Sequence, residues 1–142
     1  MKITPQSARR VVRASAVYDL IASAGFALPW TVAGTFALLD SLHRAFGLTG
    51  AVPDADATFT VLFANLTGSL VVVWSVVRIW RPTLAFGAAD TVARVLFSTA
   101  MLSALGSGAS PVVLAFLVPE LTWAVVQGGA VALASGRRTL AA

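Results

Sequence analysis

The sequence has no cysteine, only one histidine and few charged side chains. Its 142 residues include 10 lysines and arginines and 6 aspartates and glutamates, so that charged residues make up 11% of the chain. Without cysteine there can be no disulfide bond, no thiolate metal site and no cysteine-ligated iron–sulfur cluster. The lone histidine, His43, rules out the multi-histidine sites that hold haem or zinc, and we place it in a solvated or interfacial connection. We therefore expect neither a metal nor a cofactor.

The scarcity of charge also identifies the class of protein. Soluble domains carry about 25% charged residues, whereas this chain is 58% hydrophobic and could not cover a water-facing surface. Its net charge of +4 does not predict nucleic-acid binding, because the basic residues form short clusters beside long apolar runs. Such clusters orient membrane helices and contact anionic lipid head groups. The sequence thus predicts a single-domain integral membrane protein whose partners include membrane lipids and exclude nucleic acid.

Four apolar stretches are long enough to cross the roughly 30 Å hydrocarbon layer as helices. They cover residues 14–39, 59–79, 83–105 and 111–134. Because backbone groups in lipid need internal partners, we predict an all-α bundle of four transmembrane helices. Pro29 should kink the first span. Residues 40–58 should form the longest connection, with a short interfacial helix.

The positions of the basic residues predict the orientation of this bundle. Three segments that four spans would place on one side are basic, while the other two connections contain only Arg44. The positive-inside rule then places both termini in the cytoplasm. The abundance of alanine and valine suits a GC-rich bacterial genome, so we expect the inner membrane of a bacterium. The basic residues of the three segments are Lys2, Arg9, Arg10 and Arg13; Arg78 and Arg81; and Arg137 and Arg138.

Each predicted span carries polar side chains at helical spacing. Steps of three, four or seven residues place the members of each set on one helix face. Four such faces on adjacent helices predict a polar interior. The sets are Ser15, Asp19, Ser23 and Trp30; Asn65 and Ser69; Asp90, Arg94 and Ser98; and Glu120, Trp123 and Gln127.

The depth of these residues predicts which of them meet. At a rise of about 1.5 Å per residue, Asp90, Arg94 and Glu120 can form one network. Asp19 and Gln127 should lie on its cytoplasmic side, with Asn65 on its outer side. Each charge at mid-membrane costs roughly 2.5 to 3.5 kcal/mol. Three carboxylates and the single Arg94 would leave two negative charges, which indicates either a protonated acid or a cavity that admits water or a ligand.

Three functions are compatible with this interior. The first is binding of a small amphipathic or lipid-like molecule by residues of the polar faces. The second is an isomerase or cyclase, with Glu120 as the acid and Asp90 as the base. The third is an accessory or assembly subunit whose polar core is only structural. The residues predicted to bind the ligand are Asp19, Asn65, Asp90, Arg94, Glu120, Trp123 and Gln127.

Small residues at one-turn spacing predict close helix packing. Ala64 with Gly68 and Ala89 with Ala93 would let helices approach one another. Such faces also suit a homo-oligomer or a membrane partner, and no feature of the sequence sets a stoichiometry.

Several features of the layout resemble a known family. They are the basic N-terminus, the long first connection, Gly68 near the middle of the second span, and Arg78 and Arg81-Pro82 before the third. In these the chain is similar to small four-helix bacterial membrane proteins of the DoxX-like kind. That resemblance implies a link to lipid quinones and assigns no site residue.

A second likeness involves the intramembrane acids and one tryptophan. Asp19, and Glu120 with Trp123, are the residue types with which the emopamil-binding and sigma-2 receptor group surrounds an amphipathic ligand. This resemblance implies a ligand pocket inside the bundle.

Overall fold

The computed structural model describes residues 3–139, which form five α-helices. These are α1 (Pro5–Ser23), α2 (Pro29–Ala45), α3 (Thr58–Trp80), α4 (Leu84–Gly106) and α5 (Leu114–Thr139). Short 3-10 turns, Ala24–Phe26 and Pro111–Val113, lie ahead of α2 and α5. The predicted helical class is confirmed for this part of the chain.

Three of the helical segments are long and apolar enough to cross a membrane. They are α3, α4 and Pro111–Gly136, and α1 with α2 counts as a fourth only if the bent pair is one broken span. This composition fits a multi-pass membrane protein. The predicted spans 59–79 and 83–105 agree with α3 and α4 to within one residue at each end. Pro82, in the link between them, cannot continue a helix.

The prediction of one kinked helix over residues 14–39 is wrong. Helix α1 already begins at Pro5, after the Thr4 side chain, which accepts a hydrogen bond from the Ser7 amide at 3.1 Å. This is a standard helix start, with proline at the first helical position. Pro29 opens a new helix instead of kinking the old one, and α2 leaves α1 at an angle of 98°. Because α2 runs on to Ala45, the connection to α3 covers only residues 46–57.

Hydroxyl and amide side chains donate hydrogen bonds to the backbone carbonyl groups at the break between α1 and α2. Carbonyl groups that lose their helical partners cost several kcal/mol in a membrane unless other donors reach them. Three such donors reach the break, two of them from α3. Thr35 donates to the Gly25 carbonyl at 3.0 Å, Asn65 to that of Phe26 at 3.2 Å, and Ser69 to that of Ala27 at 2.8 Å.

Helix α3 approaches this break closely because it has a glycine there. A Cβ atom on Gly68 would lie 2.5 Å from the backbone carbonyl carbon of Phe26. No real side chain tolerates that separation, so the absence of a side chain at Gly68 is what allows the contact.

Helix α1 is the centre of the bundle. It packs against α3 and α5, and it also reaches α4, which packs along α5. Helices α3 and α4 are joined by only three residues, yet their backbones diverge, and the contacts between them come from long side chains such as Trp74, whose ring centre lies 5.4 Å from that of Phe86. The bundle is therefore open along the seam between α3 and α4.

The contacts at the two ends of the bundle differ in kind. At one end the start of α1 meets the end of α5, where Ala8 packs with Ala130 and Ala134. At the other end residues 46–57 meet the α4–α5 turn. There the Ala51 amide donates to the Gly108 carbonyl at 2.9 Å, and His43 Nδ1 lies 2.7 Å from Ser110 Oγ. His43 therefore lies in the last turn of α2 and not in a connection, and it is half-buried against Ser110.

Candidate functional site

The open seam between α3 and α4 is a cleft of about 680 Å³. Residues of α1 and α5 also line it. This volume is within the range of about 300 to 1,000 Å³ that is typical of sites for small molecules. Large apolar side chains line the walls, and some remain exposed, such as Leu70, which is 69% exposed. The apolar residues of the walls include Phe63, Leu70, Val71, Trp74, Phe97, Met101 and Phe116.

The small residues of α3 and α4 face this cleft. Ala64, Gly68, Ala89 and Ala93 all line it. The expectation that Ala89 and Ala93 bring α4 close to a neighbouring helix is therefore not met on this face. Their short side chains instead leave the cleft open.

Five ionisable side chains from four helices meet at the cleft. Asp19 comes from α1, Arg78 from α3, Asp90 and Arg94 from α4, and Glu120 from α5. All but Glu120 are buried, and Glu120 is half-buried. We call these five residues the charged cluster.

Arg94 is the hub of the charged cluster. Each of its three nitrogens donates to a different carboxylate: Nε to Asp90 at 3.0 Å, Nη1 to Glu120 at 2.8 Å and Nη2 to Asp19 at 2.6 Å. The planar guanidinium suits this division, because its donors point in fixed and different directions. The network of Asp90, Arg94 and Glu120 expected from helical depth is present, with Asp19 as a further member.

Arg78 is the residue that the sequence prediction misassigned. Its guanidinium is fully buried, donates to Asp19 Oδ2 at 2.5 Å, forms an ion pair with Asp90 Oδ2 at 2.7 Å, and lies 5.7 Å from the centre of the Trp74 ring. It does not belong to the basic connection between α3 and α4. From the sequence, three carboxylates were counted against Arg94 alone, an excess of two negative charges that indicated a missing cation. Arg78 is such a cation and reduces the excess to one negative charge.

A second set of contacts holds Asp90 in place. Trp74 Nε1 donates to Asp90 Oδ1 and Gln127 Nε2 donates to Oδ2, both at 2.9 Å. Gln127 also donates to the Gly87 carbonyl at 3.0 Å and accepts from Ser15 Oγ. Because each of these bonds uses a different donor or acceptor, Asp90 and Gln127 fix the side of α4 that faces the cleft.

The seven predicted ligand-binding residues separate into two groups. Asp19, Asp90, Arg94 and Glu120 line the cleft. The other three, Asn65, Trp123 and Gln127, do not line it. Asn65 binds the helix break, Trp123 packs on Tyr18 with ring centres 6.2 Å apart, and Gln127 lies behind Asp90. We infer that these three residues stabilise the helices that line the cleft and do not contact a ligand.

The cleft contains residues that the sequence did not single out. Tyr18 and Trp74 line it beside the charged cluster. Tyr18 directly precedes Asp19, and Trp74 lies one helical turn before Arg78, so both could have been found by extending the polar faces to their aromatic neighbours.

The pair suggested for acid–base chemistry is held by one arginine. Asp90 and Glu120 both accept hydrogen bonds from Arg94. One guanidinium group therefore engages both carboxylates. Within residues 3–139 no three acidic or histidine side chains are placed to share a metal ion.

Comparison with protein-family models, with curated proteins and with solved structures gave no match to this chain. Function must therefore be inferred from the cleft.

Proposed function

We propose that this protein binds a small amphipathic or lipid-like molecule in the cleft between α3 and α4. The observation that carries the proposal is the combination of an open apolar seam with charged side chains inside it. Ligand sites typically pair apolar walls with a few placed polar groups. A molecule with an apolar tail and a polar end matches both parts.

The geometry also suggests how the molecule would lie. Its apolar part would run along Phe63, Leu70 and Phe97, which are all partly exposed. Its polar end would meet Asp19 and Glu120. The molecule would reach the cleft sideways from the lipid, because α3 and α4 do not close over it.

A purely structural role explains the cluster less well. Polar contacts between membrane helices stabilise them by only about 0.6 to 2 kcal/mol, and ionisable residues within a membrane mark functional sites by default. A structural network would also be best satisfied in a closed interior, with α3 packed against α4. Here the charged cluster instead lines a cleft between these two helices.

The orientation of the bundle belongs to the same proposal. Arg9, Arg10, Arg13 and Arg81 are exposed at one end, and Arg13 Nε donates to the Ile79 carbonyl at 3.1 Å. We assign this end to the cytoplasm of a bacterial cell, with α1 and α2 as one broken span. Lys2 and the side chains of Arg137 and Arg138 lie outside the described residues.

Mass spectrometry of the protein purified with its native lipids tests the binding proposal. Ala93→Phe would fill the cleft, while Ala88→Phe adds the same ring at an exposed position of α4 outside it. We expect a co-purifying molecule to be lost with Ala93→Phe and retained with Ala88→Phe. Equal retention in both variants would refute binding in the cleft. The mass of the molecule also tests the DoxX-like resemblance, which implies a quinone.

A further inference from the structure

The charged cluster is not electrically balanced. Asp19, Asp90 and Glu120 supply three carboxylates, while Arg78 and Arg94 supply two guanidinium groups. With all five ionised, one negative charge has no counter-ion in the cluster. An uncompensated charge away from water is costly, so a cation that entered the cleft would be bound favourably.

Two acidic members of the charged cluster are more exposed than its arginines. The side chains of Arg78 and Arg94 are 0% and 2% exposed, whereas those of Glu120 and Asp19 are 15% and 8% exposed. Glu120 and Asp19 are therefore the members of the charged cluster with the most accessible surface left for a ligand.

Two of these oxygens have unused hydrogen-bonding capacity. The bonds that Asp19 and Glu120 accept from described residues all reach Oδ2 and Oε2. Among the described residues, Asp19 Oδ1 and Glu120 Oε1 have no partner. Among the described residues, the side-chain atoms that are fully buried and also lack a partner are Arg78 Nε and Ser98 Oγ. The two carboxylate oxygens are not in that group, so they remain accessible. Both free oxygens are acceptors on residues that line the cleft.

We propose that the polar end of the ligand is a cationic ammonium group, so that the molecule is a long-chain amine. This inference rests on the proposed binding function. An ammonium group supplies the missing positive charge and donates hydrogen bonds to the two free oxygens. The faces of Tyr18 and Trp74, which line the cleft, add attraction for a cation. A carboxylate or phosphate head group would be repelled by the same oxygens.

Three probes with the same twelve-carbon chain test the charge of the head group. They are dodecylamine, dodecanol and dodecanoate, added at neutral pH to the protein in nanodiscs of phosphatidylcholine, with empty nanodiscs as the blank. We expect the amine to bind at least about tenfold more tightly than the alcohol, and dodecanoate to bind most weakly. This order in the wild-type protein decides the proposal without any variant.

Two variants locate the effect. Glu120→Gln removes one cleft carboxylate and should abolish the preference for the amine over the alcohol. Asp56→Asn removes a carboxylate from an exposed position in the connection before α3 and should leave the preference unchanged. An amine preference that survives Glu120→Gln, or that Asp56→Asn also removes, would overturn the assignment of the charge to the cleft.

The failures of the two proposals are distinguishable. If amine and alcohol bind equally and Ala93→Phe blocks both, the cleft binds amphiphiles but its ligand is not cationic. That result would also be expected if a proton neutralised the excess charge. If Ala93→Phe blocks no probe, the binding function itself is wrong.

Discussion

Arg78 of α3 donates to Asp19 Oδ2 of α1 at 2.5 Å, although Arg78 lies only two residues before the end of its helix. The same oxygen accepts a bond from Arg94 of α4 at 2.6 Å. One carboxylate oxygen of α1 therefore joins α3 and α4, which also meet directly where Arg78 pairs with Asp90 at 2.7 Å. Together with the direct contacts of Arg78 and Trp74 with Asp90, this shared oxygen connects α3 and α4 at the charged part of the cleft.

Replacing Arg78 should destabilise the protein strongly. Arg78→Met would leave buried Asp19 and Asp90 with Arg94 as their only cation, and breaking a buried pair typically costs about 3 to 5 kcal/mol. Arg81→Met is the matched control, because Arg81 is exposed and should change stability by no more than about 0.5 kcal/mol. Equilibrium unfolding in mixed micelles measures both. Equal effects would contradict the buried position of Arg78.

Substitutions of Glu120 and of Arg94 should change the unfolding free energy by different amounts, even though the two residues form one ion pair. Glu120→Gln leaves two carboxylates with two guanidinium groups, so we expect a change of less than about 1 kcal/mol in unfolding free energy. Arg94→Leu leaves three carboxylates with Arg78 alone and should cost more than about 3 kcal/mol. The same unfolding assay compares them. A loss with Glu120→Gln as large as that with Arg94→Leu would show that the cluster has no excess negative charge.

Gly68 should not tolerate even an alanine. A Cβ at this position would meet the backbone of Phe26 at 2.5 Å, so Gly68→Ala must displace the break between α1 and α2 and should cost about 1 to 3 kcal/mol. Gly34, in α2, has nothing within 4 Å of its Cβ position. Gly34→Ala should be neutral or stabilise the protein by up to about 1 kcal/mol. Thermal unfolding that ranks the two variants in the opposite order would be inconsistent with this contact.

The absence of native cysteine makes the orientation easy to test. Gln6→Cys and Ala55→Cys place single thiols at exposed positions at opposite ends of the bundle. In intact cells we expect an impermeant maleimide to label Ala55→Cys and not Gln6→Cys. The reverse pattern would invert the proposed orientation. Labelling of both would indicate that α1 and α2 form a re-entrant pair instead of a broken span.

The features that could be predicted from the sequence are local ones. The bounds of α3 and α4 follow from hydropathy and Pro82, because the thickness of a bilayer fixes the length of an apolar helix. The contact between Asp90 and Arg94 follows from their spacing of four residues. Glu120 could be added because two antiparallel helices with a short connection must lie side by side.

Other features depended on contacts between distant parts of the chain. The break at residues 24–28 is stable because Asn65 and Ser69 of α3 reach its carbonyls, and a proline by itself signals only a kink. An arginine near a helix end can extend toward either water or the interior. Asp19 and Asp90 draw Arg78 inward, and neither lies on its helix.

The sequence by itself determined that this is a helical membrane protein with ionisable groups in its interior, since apolar length and charge position are properties of each segment alone. Only the tertiary structure decided that these groups line an open cleft. Small residues at 64, 68, 89 and 93 suit either close packing or an open cleft. The choice depends on α1, which packs against α3 and also reaches α4, so that residues of all three helices line one cleft.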